Sequence, residues 1–580
     1  MAKYGAIEVV GTDDEGDIRP SVDDDDAAHP PNGRRGWTLR IVGAAAASLA
    51  FLATYTTPNH HNLPTPGGGP IASLRCRLSL SSSSSSSSSC DRHDENEELF
   101  YVDQLVNHFD DGDTSTWKHR YYKSVEHFGG PGRPIFHVVG GEGALDFGML
   151  YPFVTRRLAP YFRAAVIQVE HRFYGPYRPI TGRDATVSEL LELLTPQQAM
   201  ADNVRLGRAF GKELGCSDDR DSSDYCPVIT VGGSYPGFLS AMLRVAYPDY
   251  ADMSYASSAP LKLYDQSTDQ NVYYDIVTEA AERASRGCAS AVRRALSKAK
   301  ELIIESPSLE EAVVGMDMCV HTVPSYISHK HTLSEEVMSA IGFTFADFDS
   351  GYYPPGPDTA LYRACRIFQG TNSTPLEMIG KFFRVYEEEG GGETPFEGDG
   401  GGDCFDLSVF LPDGDNARIT TSDWSGSGGG NDGKMWDFQL CTTVIDPIGF
   451  SPESMFPPRA WTYEGLTRYC QLRYGREVTP RPYALVEAMG FDDLVGIGAS
   501  RILFTNGMQD MWYGGSYTED LSDTILAINF ENGAHHSDLS HVGPTDADTD
   551  DIKEGYVKIQ NILEKWLNEV KAEIETGRSN

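Results

Sequence analysis

Val228-Ile229-Thr230-Val231-Gly232-Gly233-Ser234-Tyr235-Pro236-Gly237 reads as four β-branched residues, two glycines, a serine, and a proline where a helix would begin. β-branched side chains fit a pleated, buried surface, so residues 228–231 predict a strand. Proline in a first helical turn forfeits no intrahelical hydrogen bond, and its fixed φ suits a helix start. Ser234 therefore falls on a strand–turn–helix junction, which lifts a hydroxyl clear of its neighbours, while the small flanking residues let helix and strand approach. An unaided serine hydroxyl is a poor nucleophile, and such a turn becomes chemistry only if a histidine removes its proton. Pro236 departs from the G-x-S-x-G form, and a plain glycine-rich turn is the simpler reading of this stretch alone.

Working outward, short apolar runs alternate with helical patterns from about residue 98, as in an α/β fold built on a mainly parallel sheet with right-handed crossovers. Residues 134–139 predict a strand ending in Gly140-Gly141-Glu142-Gly143, and residues 164–169 one ending in Glu170-His171-Arg172. A helix is predicted over 196–210, a second over 238–247, and a short strand over 251–256. Glu170 is read as a partner of loop N–H groups or of Arg172. Residues 261–435 read as an insertion, with helical stretches such as 280–304 and two flexible glycine-rich runs, 390–392 and 428–430. Strands resume at 501–505 and 524–530.

Each late strand runs into a group suited to acyl-transfer chemistry, Asp510 after the first and His535-His536 after the second. Ser234, Asp510 and His535 thus occur in α/β-hydrolase order, each after the carboxyl end of a strand, where such sheets place their sites. His535 would take the serine proton and Asp510 would hold the imidazole tautomer. The Tyr235 N–H would supply one oxyanion donor, and the 140–143 loop, around Glu142, a second. Taken singly, Asp510 is as readily a turn cap, and either histidine a surface residue.

The 580-residue chain is 40% apolar and 11% aromatic, enough for a large core. Its 84 acidic against 48 basic residues give a formal charge of −36, which repels nucleic acid. Residues 1–36 form an acidic tail with few large apolar side chains, read as disordered. Arg34 and Arg35 precede the apolar segment 37–57, read as a signal-anchor or a cleaved signal peptide and routing the chain to the secretory pathway. An anchor would make a single-pass membrane protein with a luminal catalytic domain. Residues 58–98, with serines at 81–89, read as a stem, followed by a hydrolase domain in two parts, 99–260 and 436–570. Eight of the ten cysteines lie beyond the stem, which predicts disulfides. None sits in a metal-ligand spacing, so neither metal nor cofactor is implied. Asn372-Ser373-Thr374 is a glycosylation sequon.

The segments 170–175, 232–235, Ser257-Ser258-Ala259-Pro260, Trp436-Asp437-Phe438-Gln439-Leu440-Cys441-Thr442, Asn506-Gly507 with Asp510 and Trp512, and Gly533-Ala534-His535-His536-Ser537-Asp538-Leu539 together resemble the S28 serine peptidases, the family of lysosomal Pro-X carboxypeptidase, dipeptidyl peptidase II and thymus-specific serine protease. The resemblance spans about residues 99 to 570. It implies an α/β-hydrolase with an inserted helical lid, Ser234, Asp510 and His535 as nucleophile, orienting acid and base, and His536 and Trp512 at the substrate site. It implies peptide substrates cut after proline or a small residue near a chain end, in a lysosomal, vacuolar or extracellular setting, and a homodimer. This chain departs from the family pattern at Pro236 (glycine), Met511 (proline), Gly141 (asparagine), Thr443 (glutamate) and Ser540 (arginine). Three functions fit these residues: a serine exopeptidase, an esterase or lipase with the same triad, and a catalytically silent, membrane-tethered binding protein.

Overall fold

The computed structural model describes residues 97–145, 149–323, 327–389, 404–407 and 430–576. The acidic tail, the apolar segment 37–57, nearly all of the stem and the glycine-rich runs up to residue 429 lie outside the described residues. Among the described residues no helix is long and apolar enough to cross a membrane.

Eight strands make one sheet: β1 (Leu99–Leu105), β2 (Thr116–Ser124), β3 (Ile135–Val139), β4 (Ala165–Val169), β5 (Val228–Gly233), β6 (Met253–Ser257), β7 (Ile502–Gly507) and β8 (Ile525–Phe530). Their spatial order is β1-β2-β4-β3-β5-β6-β7-β8. β1 and β2 are antiparallel, as are β2 and β4; every later pairing is parallel. This is an α/β-hydrolase sheet. β3, β4, β5, β6 and β7 are buried at every position, as expected of strands covered by helices on both faces.

The antiparallel pair β1–β2 precedes the first strand anticipated above. It hides in the sequence because β1 is an exposed edge and β2 carries Lys118, His119, Arg120 and Lys123 among its aromatic residues. The predicted helix after Thr195 extends to Glu213, with the Thr195 side chain accepting from the Gln198 N–H and Pro196 in the first turn.

Between β6 and β7 the chain leaves the sheet for a helical insertion. Its helices are Val272–Ala284, Cys288–Glu305, Leu309–Gly315, Lys330–Ser350, Ala360–Phe368 and Pro375–Glu388, followed by Gly430–Leu440. The single stretch expected over 280–304 is two helices, broken at Ser285-Arg286-Gly287, where Gly287 takes φ 85°. Among the described residues four disulfides form, Cys216–Cys226, Cys288–Cys365, Cys319–Cys404 and Cys441–Cys470, as the even cysteine count beyond the stem predicts. Cys288–Cys365 staples two insertion helices, and Cys441–Cys470 ties the end of Gly430–Leu440 to the helix Tyr463–Tyr474.

Candidate active site

β5 lies between β3 and β6 and ends directly on Ser234. The chain turns there into the helix Tyr235–Ala246 with Ser234 at φ 64° and ψ −133°. A positive φ at a non-glycine residue costs about 1–3 kcal/mol and persists only where the surroundings over-determine it. Here the Ser234 N–H donates to the Ser257 carbonyl at 2.9 Å, and the Phe238 N–H donates to the Ser234 carbonyl at 3.1 Å. Gly232 permits the close turn, since a Cβ on it would lie 2.2 Å from the Pro236 carbonyl oxygen. Ser234 is 5% exposed.

The Tyr235 N–H belongs to the first turn of this helix, whose N–H groups have no acceptor within the helix. The 140–143 loop crosses the same helix start, because a Cβ on Gly141 would meet the Pro236 ring at 2.3 Å. Gly141 and Pro236 are therefore one steric unit: the ring of Pro236 fills the space a side chain at 141 would need. A helix N-terminus and an adjoining loop are the two places from which an oxyanion beside Ser234 would be held. The Tyr235 hydroxyl accepts from Gln439 Nε2 at 3.0 Å and lies 3.2 Å from His171 Nε2.

Asp510 and His535 sit 25 residues apart in sequence and meet because β7 and β8 pair in parallel register, Gly507 opposite Phe530. Backbone bonds from Met508 to Phe530 (2.8 Å) and from Gln509 to Gly533 (2.9 Å) zip the two following loops together. Asp510 Oδ1 accepts the Trp512 N–H at 3.0 Å, and Oδ2 lies 2.9 Å from His535 Nδ1. A carboxylate only accepts, so Nδ1 carries the proton and Nε2 is left as the acceptor of neutral imidazole. Among the described residues Nε2 is buried without a hydrogen-bond partner. That is the state a general base needs.

His536 is buried with its ring 4.3 Å from that of His535 and packs against Gly233; its N–H donates to Ser258 Oγ at 2.9 Å. Burial first, and the neighbouring His535 second, hold its pKa well below the ordinary histidine value. Trp512 is also buried, its ring 6.4 Å from His535 and 5.0 Å from Tyr273. Glu142 is 3% exposed. Burial pushes its carboxyl up to about 7, against an opposing pull from its own backbone N–H and from His535. Asn372 lies exposed in the turn before Pro375–Glu388. The predicted residues thus fall into one group around the ends of β3, β5, β7 and β8, with only Asn372 apart.

Sequence reasoning left Asp538 without a role. Its buried carboxylate accepts from Tyr255 (2.6 Å), Ser257 (2.7 Å) and Thr505 (2.6 Å), which pins the histidine loop to β6 and β7. Tyr151 was missed too: its hydroxyl accepts the Gly233 N–H at 3.0 Å, and its ring lies edge-on to His536. Glu170 bonds Arg120 and the Leu145 N–H, while Arg172 pairs with Asp202, so the Arg172 option for Glu170 is replaced by a partner on β2. Among the described residues no group of three or more His, Cys, Asp or Glu side chains is placed to hold a metal ion.

The sequence pattern of the serine carboxypeptidase S28 family matches residues 104–556. Lysosomal Pro-X carboxypeptidase from Mus musculus is 26% identical over 442 residues, 76% of this chain and 84% of that protein. Thymus-specific serine protease from Mus musculus is 25% identical over 481 residues, 81% of this chain and 88% of that protein. Among solved structures, proline iminopeptidase from Mycobacterium smegmatis is similar with a TM-score of 0.32 at 12% identity, covering 81% of this chain and 99% of that one.

Proposed function

The chain belongs to the serine carboxypeptidase S28 family, and from that premise we propose that it is a serine exopeptidase that cuts on the carboxyl side of proline, or of a small residue, near a peptide terminus. The observation that carries this reading is the Asp510–His535 pair at 2.9 Å, with His535 Nε2 buried and unpartnered, on the same sheet rim as the strained Ser234.

The chemistry follows from those positions. His535 Nε2 takes the Ser234 Oγ proton as the oxygen attacks the scissile carbonyl, and Asp510 stabilises the imidazolium that forms. The Tyr235 N–H and the 140–143 loop hold the oxyanion. His535 then passes the proton to the leaving amine, an acyl-enzyme remains on Ser234, and water attacks it with His535 again as base. Four disulfides and the likeness to lysosomal Pro-X carboxypeptidase support a secretory or lysosomal setting. Anchoring by residues 37–57 and pairing into a homodimer belong to the same reading, and carbonate extraction and sedimentation test them.

A fluorophosphonate probe should label the purified protein, and Ser234→Ala should abolish both the adduct and hydrolysis of prolyl peptides, by about 10⁵-fold or more in kcat. Labelling that survives in Ser234→Ala would refute the assignment. Hydrolysis of acyl esters without any cleavage of prolyl peptides would make the protein an esterase instead.

A further inference from the structure

The helix Gly430–Leu440 presents two faces to the rest of the molecule. Asp432, Trp436 and Gln439, spaced four and three residues apart, share one of them, and Asp437 lies on the other. Asp437 pairs with Arg473 at 2.7 Å and accepts from Tyr469 and Tyr474, all on the helix Tyr463–Tyr474. Cys441–Cys470 bonds the end of Gly430–Leu440 to that same neighbour. The Asp437 face therefore anchors the helix.

The other face grips two pieces of chain beside Ser234. Asp432 Oδ2 accepts the Ala144 N–H at 2.8 Å and Oδ1 accepts the Gly175 N–H at 2.9 Å, reaching 288 and 257 residues back along the chain. Ala144 directly follows the 140–143 loop. Two turns along the helix, the buried Gln439 donates from Nε2 to the Tyr235 hydroxyl at 3.0 Å, and its Oε1 accepts from the Tyr174 hydroxyl at 2.5 Å. Between them the Trp436 ring lies 5.2 Å from that of Tyr235. The next residue of the loop is held differently: the Leu145 N–H donates to Glu170 at 3.0 Å, and the Leu145 carbonyl accepts from Tyr122 on β2 at 2.7 Å. Leu145 is thus tied to the sheet and Ala144 to the helix. With glycine at 140, 141 and 143, the loop has few side chains of its own to fix its shape.

We propose that Asp432 is a positioning residue for acyl transfer: by holding Ala144 on the same helix face that holds Tyr235 through Gln439, it sets the distance between the 140–143 loop and the Tyr235 N–H. This rests on the exopeptidase reading above, in which those two places hold the oxyanion, and deepens it. An oxyanion gains from two donors only when both aim at one point, so the spacing between them matters as much as their presence. A carboxylate makes the stronger, charge-assisted kind of bond to an N–H, and its two oxygens let one side chain fasten two loops. The charge that needs this spacing develops in the transition state, so loss of Asp432 falls on the chemical step and spares substrate binding.

Asp432→Ala, which removes both acceptor oxygens, is compared with the parental full chain by fluorophosphonate labelling and by hydrolysis of whichever of Ala-Pro-aminomethylcoumarin and benzyloxycarbonyl-Pro-Phe the parent cleaves. Per folded molecule, the labelling rate and kcat should both fall by about 10- to 100-fold, with KM within about threefold of the parental value. A side chain that served stability alone would lower the melting temperature and leave both rates of the folded protein in place. Asp432→Asn keeps one acceptor oxygen and should lose about 3- to 10-fold, so it carries the same test where Asp432→Ala does not accumulate as folded protein. Rates within about twofold of the parent in both variants, or a rise in KM that accounts for the whole loss, would overturn the positioning role and leave the exopeptidase standing. A parental protein that takes no probe would overturn both.

Discussion

At the β2–β4 side of the sheet buried charges sit in ion pairs, whereas near the candidate triad Asp349 and Asp446 stand without an ion pair or a hydrogen bond among the described residues. Arg172 uses its whole guanidinium: two bonds to Asp202 at 2.6 and 2.8 Å, and three to the carbonyls of Val106, Leu193 and Leu105. Arg120 pairs with Glu170 and Glu98 in the same way. Near the triad, Asp349 lies on the helix Lys330–Ser350, where burial first and Asp510 second raise its pKa against a smaller pull from Arg283, and neither of its oxygens is hydrogen-bonded among the described residues. Asp446, buried after the helix Gly430–Leu440, repeats the pattern. Both regions are equally buried, so burial does not tell them apart. What separates them is counter-charge: ion pairs bind the first region together, and carboxyls lacking one mark the second.

The largest expected effect lies at Asp510, the carboxylate of the second region that bonds His535. Asp510→Asn should lower kcat by about 10⁴-fold, because the amide can present its NH₂ to Nδ1 and select the wrong imidazole tautomer. If Asp510 belongs to function rather than to fold, thermal melting should be unchanged. A fall of many degrees would move it to the first class and break the comparison. In the first region the outcome is reversed. Arg172→Met leaves the buried Asp202 with only His108, at 2.7 Å, as a side-chain partner and should destabilise by about 3–5 kcal/mol, read as a lower urea midpoint, with an unaltered fluorophosphonate labelling rate per folded molecule.

The second region was legible only in part. Ser234, Asp510 and His535 could be placed at one sheet edge from the sequence because each follows its own strand closely. Asp538 and Tyr151 were not, since their roles depend on what lies across the sheet: Asp538 reaches back to Tyr255, some 280 residues away in the chain. The partner of Glu170 was sought in Arg172, two residues on, but strand order brings up Arg120 from β2 instead. The break at Gly287 was masked by apolar positions that keep helical spacing on both sides of it. Lack of a partner, the property that separates Asp446 from Asp437, is a tertiary fact with no local signature.

The two regions also pull stability in opposite directions with pH. Burial lowers His119, His137 and His171 to about 4. The unfolded chain takes up protons on these groups below about 6.5 while the folded chain refuses them until about 4, so their contribution is full above 6.5 and is lost as pH falls through that window. Glu142, raised to about 7, behaves oppositely: its contribution is present below about 4.5 and is lost as pH rises through 7. His137 shows why the histidines stay neutral, with Nδ1 accepting from Tyr250 at 2.5 Å and Nε2 donating to Asn203 Oδ1 at 2.8 Å. In a Ser234→Ala background, His137→Gln should lose less stability than its parent on going from pH 7 to pH 4.5, by on the order of 2–3 kcal/mol in denaturant titrations. Glu142→Gln should instead flatten the neutral side.

The smallest effect tests whether the paired logic extends to shape as well as charge. At Gly141 and Pro236 no polar group is involved, only the space between a loop and a helix start, where an added Cβ meets the proline ring at 2.3 Å. Gly141→Ala should therefore destabilise by about 1–2 kcal/mol, in the lower part of the range for overpacking, and should slow fluorophosphonate labelling if the displaced loop borders the oxyanion position, as proposed. Pro236→Gly removes the obstructing ring, so the double variant Gly141→Ala/Pro236→Gly should regain most of the labelling rate. The coupling between the two changes, measured as a double-mutant cycle, should be at least 0.5 kcal/mol. Additive effects would mean that the loop moves aside freely, and that Gly141 and Pro236 are independent departures rather than one fitted pair beside Ser234.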